Sequence, residues 1–281
     1  MSLSELIMSL ELGLIYGIVG MGIYLTFRII DFPDLTCDGS FVLGAAISSI
    51  LIKAGVDPFL SLIFALIGGA LAGALTGILN SFFKVTDLLA GILVAFMLYS
   101  INLHVMNGTP NISLLMSPTI FITNNLVVLG GIAIILIALF SYLLNTDLGL
   151  SIRAVGQNKR LCLNGGVNVK WMVILGVAMG NALIAMGGAL FSQQQGFTDI
   201  SAGIGTIIAG FAAVIIGERI LPFRSMWIKL LSCIVGSIVY RIVTGLALHA
   251  EFLNLKSYDF NLIAGLLIII IMAMPGGKRR C

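Results

Sequence analysis

PFLSLIFALIGGALAGALTGILNSFF, residues 58–83, contains no Asp, Glu, Lys or Arg. A hydrocarbon core about 30 Å thick is crossed by about 20 apolar residues in a helix rising about 1.5 Å per residue, so this stretch reads as a membrane span. The same reading applies to the uncharged runs Leu88–Thr146, Trp171–Thr198 and Ile200–Gly217. Of 281 residues, 59% are hydrophobic and 10% charged, against about 45–50% and about 25% in soluble domains. Soluble enzymes, nucleic-acid binders and disordered chains are excluded. The sequence predicts an all-α polytopic membrane protein, one transmembrane domain over residues 1–281, surrounded by lipid bilayer.

Nine apolar segments can be drawn: Leu6–Ile29, Phe41–Ile52, Phe59–Phe83, Leu88–Leu103, Asn125–Leu144, Trp171–Phe191, Gly203–Gly217, Met226–His249 and Phe260–Met274. The second is short and follows the polar run DFPDLTCDGS, residues 31–40; the seventh is short and Gly-rich. Interrupted helices are tolerated at membrane depth where they are buried in protein or line a cavity. Both are read as broken or re-entrant, giving eight to nine transmembrane segments with a broken second helix.

Alternating spans put Arg28, Lys84, Arg153, Lys159, Arg160, Lys170, Arg219, Arg224, Lys229, Lys278, Arg279 and Arg280 on one side. The opposite side keeps Lys53 and Lys256, and Arg241 falls inside a span. This excess marks the cytoplasmic face. It predicts a multi-pass membrane protein with a cytoplasmic C-terminus, and nine crossings put the N-terminus outside.

Gly69, Gly73 and Gly77, flanked by Ala70, Ala72 and Ala74, lay a smooth stripe along one helix face. Such a stripe lets another helix approach closely, either within the subunit or across a subunit interface. Cys37, Cys162, Cys233 and Cys281 have no C-x-x-C spacing, so no metal site is expected. There is no G-x-x-x-x-G-K-[ST] and no H-E-x-x-H. No cofactor and no catalytic residue are expected. The third to sixth segments carry no Asp or Glu. That lowers the alternative of an ion-coupled secondary transporter, which buries carboxylates as coupling sites.

Residues 31–40 form the densest polar patch. Pro33 drives Phe32 away from helical geometry, and Asp38 or Ser40 can cap a helix restarting at Phe41. The patch is either a capped loop or a helix break beside a translocation path. Arg241 is costly at membrane depth; it either snorkels to the headgroups or faces the bundle. The linker from about 146 to 170 places Ile152, Val155 and Cys162 on one face of a short helix and Arg153, Gln157 and Arg160 on another. Gly165-Gly166 ends it. By composition alone it is a solvated basic loop.

That linker also carries a resemblance. Arg153-Ala154-Val155-Gly156-Gln157-Asn158, then Gly166-Val167-Asn168-Val169, then Gly187-Gly188-Ala189 resemble the permease subunits of bacterial ABC importers. The branch concerned serves branched-chain amino acids, ribose-like sugars and nucleosides. Gly17 to Gly44 sits where that family has its first helix and broken second helix. Gly91-Ile-Leu-Val, Tyr99-Ser-Ile-Asn102-Leu and Tyr240-Arg241-Ile look closer to a subgroup associated with aromatic amino-acid uptake. Many relatives have an Asn-Phe-Ala-His-Gly-like sequence where this chain reads Asp31-Phe32-Pro33-Asp34, so branched-chain specificity is not carried over.

The resemblance implies a non-enzymatic transmembrane subunit of an ATP-driven, binding-protein-dependent importer of a small solute, an amino acid or related compound. Its implied partners are a second permease copy in a homodimer, a cytoplasmic ATP-binding cassette ATPase dimer, and a periplasmic or lipid-anchored solute-binding protein. Arg153, Ala154, Gly156, Gln157, Asn158, Arg160, Gly166 and Asn168 are the expected coupling residues. Asp34, Asp38, Ser40, Ser100, Asn102, Tyr240 and Arg241 are the candidates for the path.

Overall fold

The computed structural model describes residues 3–121, 124–221 and 225–248, with positions 265 and 269. Ten α-helices form among them: α1 (Leu3–Ile23), α2 (Cys37–Lys53), α3 (Pro58–Ser81), α4 (Asp87–Val105), α5 (Asn125–Asn145), α6 (Asp147–Gln157), α7 (Lys159–Asn164), α8 (Val169–Gln195), α9 (Thr206–Ile220) and α10 (Met226–Leu248). Six are long and apolar enough to cross a membrane: α1 with its extension, α3, α4, α5, α8 and α10. At 17 and 15 residues, α2 and α9 reach only about 26 Å and 22 Å, less than the hydrocarbon thickness. The ninth apolar segment, Phe260–Met274, apart from positions 265 and 269, and the basic tail with Cys281 lie outside the described residues, as do His249, Lys256 and Arg224.

The second helix is broken as the polar run suggested, but it restarts earlier than Phe41. α1 widens into a π-helical turn, Tyr24–Ile29, and stops at Asp31, whose φ of 58° lies in the left-handed region. The chain is then irregular until α2 begins at Cys37. Neither Asp38 nor Ser40 caps α2: its N-cap is Thr36, whose side chain makes no capping hydrogen bond. Elsewhere the ends follow local chemistry. Asp57 accepts from the amides of Phe59 (2.8 Å) and Leu60 (3.3 Å) ahead of Pro58 at the start of α3. Gly196, at φ 73°, closes α8.

The core is built on α8, which packs against α2 and α3 on one side and α1 on the other, while α10 packs on α1 and α9. The glycine stripe of α3 is spent inside the subunit. A Cβ at Gly73 would lie 2.5 Å from the Val177 carbonyl oxygen, and one at Gly77 2.8 Å from the Ile174 Cα. Gly44 on α2 and Gly188 on α8 leave no room for a Cβ against the Ala185 and Phe41 carbonyl oxygens. Backbones approaching this closely maximise dispersion where lipid offers no hydrophobic drive.

One antiparallel strand pair, β1 (Asn111–Ser113) with β2 (Phe197–Asp199), adds to the helices; Ile112 stands opposite Thr198. It ties the α4–α5 connection to the α8–α9 connection. Beside it, hydrogen bonds from the Ser201 hydroxyl and amide hold the Asp199 carboxyl below the usual carboxylate range. At the other end of the bundle, Arg28 pairs with Glu218 at 2.5 Å, and the π-helical turn packs on α6.

Candidate translocation and coupling sites

Asp34 and Asp38 stand four residues apart at the break and do different things. Asp34 is 3% exposed. One of its oxygens accepts from the Thr36 amide (2.8 Å), the other from the Asn181 side-chain nitrogen on α8 (2.5 Å). The Thr36 hydroxyl meets that of Thr76 on α3 at 2.8 Å. This network fastens the irregular segment to α3 and α8, because a carboxylate enclosed by protein is held by hydrogen bonds to it. Asp34 is therefore enclosed between helices and not on a surface.

Asp38 is only partly buried and reaches across to α9. Its carboxylate accepts from the amides of Ile207 (2.9 Å) and Gly205 (3.4 Å), so it caps α9 and not its own helix. A carboxylate is favoured there by the free amides and positive end of the helix. Ser40 and Thr206 bury hydroxyls that have no hydrogen-bond partner among the described residues. Asn102 on α4 is buried and donates to the Gly39 carbonyl oxygen at 3.2 Å. Ser100 stands apart from this group, exposed on α4.

Tyr240 is 1% exposed, and the Arg241 guanidinium lies over the Tyr16 ring, 3.9 Å from its centroid. Arg241 thus turns toward α1. Tyr16 stacks on Phe41 (5.8 Å) and meets Phe191 edge-on (6.2 Å), which brings Arg241 and Tyr240 into the same aromatic layer as the residue next to Ser40. Asp38, Ser40 and, through Gly39, Asn102 thus lie at the facing starts of α2 and α9, and Arg241 connects to them through Tyr16 and Phe41. Asn181, Thr206 and Tyr16 are additions that the sequence reading did not single out. Asn181 had a signal, as a lone amide in the apolar run of α8.

The linker folds into two helices, not one. Thr146 caps α6 by accepting from Gly149, and Asn158 ends α6 and caps α7 by accepting from the Leu161 amide at 3.0 Å. Ile152, Val155 and Cys162 are buried, while Gln157 and Arg160 are exposed and Arg153 and Ala154 half-buried. Gly156 sits so close to the end of the π-helical turn that a Cβ would overlap the Ile29 carbonyl oxygen. Gly166 has φ 79°, where glycine is favoured, and Asn168 caps α8 by accepting from Trp171 at 3.4 Å. Gly156, Asn158, Gly166 and Asn168 therefore shape the linker backbone, and what it presents is Gln157, Lys159 and Arg160 together with the exposed leucines Leu148, Leu161 and Leu163.

A bundle of long apolar helices with two short helices meeting inside it and a basic helix pair at one end defines a multi-pass membrane permease. The chain belongs to the family described as branched-chain amino acid transport system permease components, whose model matches residues 6–272. It is 36% identical over 273 residues to a tyrosine transport system permease protein of Clostridioides difficile, covering 96% of this chain and 91% of that one. An uncharacterized protein of Rickettsia prowazekii is also 36% identical, over 277 residues, covering 95% and 96%. Among solved structures, a chain of PsaBC from Streptococcus pneumoniae in complex with Fab shares the fold at TM-score 0.57 and 14% identity, covering 98% of this chain and 92% of that one. A metal-chelate-type ABC transporter in an inward-facing conformation matches at TM-score 0.51 and 15% identity, covering 96% and 86%. The protein is a transport subunit, a permease component of this family.

Proposed function

We propose that this permease imports an amino acid, with tyrosine the first to test, as one of two identical membrane subunits driven by a cytoplasmic ATPase dimer and supplied by a solute-binding protein. The observation that carries the reading is the 36% identity to a tyrosine transport permease across 96% of the chain. The geometry agrees with it. α6 and α7 bury Ile152, Val155 and Cys162 while presenting Gln157 and Arg160 beside exposed Leu161 and Leu163, a mixed polar and apolar face suited to a groove on another subunit.

In this reading α2 and α9 share the crossing. α2 runs from the break toward the end where Ser48 meets Ser61 (2.9 Å), near the start of α3, and α9 runs to Glu218 beside Arg28. With the six long helices and the apolar segment Phe260–Met274, α2 and α9 counted as one shared crossing or as two give eight to nine segments, with the basic tail on the side of the linker, in the cytoplasm. The path passes Asp38, Ser40, Asn102, Tyr240 and Arg241, with Ser100 on the outer surface of α4, and Asp34 steadies the break behind it.

The test is reconstitution of the permease in proteoliposomes with its ATPase and binding protein. ATP-dependent accumulation of labelled tyrosine or another amino acid is expected. Accumulation of sugars with no amino acid transported would reject the reading.

A further inference from the structure

We propose that the junction of α2 and α9 is a binding site for the zwitterionic head of an α-amino acid: the N-terminus of α9 takes the solute carboxylate, and Asp38 takes the ammonium. This rests on the amino-acid reading above and goes further, because it assigns the recognition to particular atoms.

The amides of Gly205 and Ile207 converge on one carboxylate, that of Asp38. Thr206 lies between them in sequence, and its hydroxyl is buried with no hydrogen-bond partner among the described residues. The Ser40 hydroxyl, two residues after Asp38, is in the same condition. Buried hydroxyls are ordinarily satisfied, so two unpartnered ones at the facing helix starts leave hydrogen-bonding capacity that a further polar ligand would use. The backbone is drawn tight here. Gly203 has no space for a Cβ against the Asp38 carbonyl oxygen, and Gly205 holds φ 85°.

Asp38 occupies the place that the solute carboxylate would take. Its carboxylate satisfies the α9 amides, and the partners described for it are those amides, not a cation. An arriving amino acid exchanges with it. The solute carboxylate bonds to the Gly205 and Ile207 amides and to the Thr206 hydroxyl, and Asp38, released by a side-chain rotation, meets the ammonium. No bond is made or broken covalently and no proton need move. A carboxylic acid without the ammonium would set two carboxylates against each other, and an amine without the carboxylate would leave the α9 amides bare. The site therefore selects molecules carrying both groups. Half-helix starts directed at an anionic solute group are a device of membrane carriers in general.

The test measures direct binding of three labelled probes to the purified permease–ATPase complex without binding protein: L-tyrosine, tyramine and 3-(4-hydroxyphenyl)propionate. Tyrosine should bind at least tenfold more tightly than either half-molecule. Asp38→Asn should remove the preference for tyrosine over the propionate. Thr206→Val, which deletes only an unpartnered hydroxyl, should weaken tyrosine and propionate binding severalfold without lowering the thermal midpoint. Wild-type affinity in Thr206→Val, or a retained preference in Asp38→Asn, would overturn the site. So would absence of tyrosine binding to a complex that, with its binding protein, takes tyrosine up. Uptake by the assembled system is read separately, so loss of the site and loss of the amino-acid reading give different results.

Discussion

Alanine at position 156 tests whether α6 is seated on the end of the first helix. Gly156 lies one residue before the end of α6, and in a helix Gly→Ala is worth about 0.5–1 kcal/mol of added stability. The structure reverses that sign. A Cβ there would overlap the Ile29 carbonyl oxygen and lie 2.8 Å and 3.0 Å from the carbonyl carbons of Ile29 and Ile30. Carbon atoms rest at about 3.5–4.0 Å, so α6 must retreat by about 1 Å. Overpacking costs about 1–3 kcal/mol, leaving a net loss of up to about 2.5 kcal/mol after the helix gain. Gly131 on α5 has nothing within 4 Å of its added Cβ, and Gly131→Ala should instead gain about 0.5–1 kcal/mol. At about 2–4 °C per kcal/mol, the two midpoints should move apart by several degrees in opposite directions. A thiol-reactive fluorophore reports the transition, because Cys37, Cys162 and Cys233 are all buried. Movement of both midpoints upward would refute the close approach of α6 to the π-helical turn.

Asp34→Ala strands the Thr36 amide and the Asn181 side chain, at about 1–3 kcal/mol for each group left unpaired; the thermal midpoint should fall by more than for Asp34→Asn, and equal midpoints would remove the network from the account. Arg241→Leu deletes a guanidinium 3.9 Å from the Tyr16 ring, a contact worth about 0.5–2 kcal/mol; uptake should be lost while insertion persists, and normal uptake would reject a transport role. Leu161 is exposed on α7 and Cys162 is buried, so with Cys281→Ser, Leu161→Cys should react with an impermeant maleimide in inside-out vesicles and be protected by bound ATPase, while Cys162 stays unlabelled until the protein unfolds. Equal labelling with and without ATPase would argue against docking at α7.

The long helices were legible because membrane thickness sets a length that composition alone can meet; residues 58–83 needed no structural help. The break before α2 was legible from Pro33 and its polar neighbours. Its geometry was not, because Asp38 finds its partners in Gly205 and Ile207, about 170 residues away, and no local capping rule looks that far. The linker shows the same division. The apolar face of Ile152, Val155 and Cys162 follows from helical spacing, whereas the split at Asn158 follows from a cap that a continuous amphipathic pattern hides. The glycine stripe left two partners open, and only packing against α8 decided between them. Asn181 was passed over because one amide in an apolar run carries no motif.

Helix α9 is strapped at both ends to the chain on either side of the break: at its start by Asp38 of α2, and at its end by Arg28 of the π-helical turn. The break therefore cannot flex as a free hinge, since bending it would pull one strap or the other. The straps are unequal. The Arg28–Glu218 pair is about one-third exposed on each side and so is worth about 0–1 kcal/mol, whereas Asp38 holds amides that would otherwise be left bare. Until a solute takes over the α9 amides, motion of the first two helices against α9 should accordingly begin at the Arg28 end and pivot about Asp38, making that carboxylate the fulcrum of the subunit.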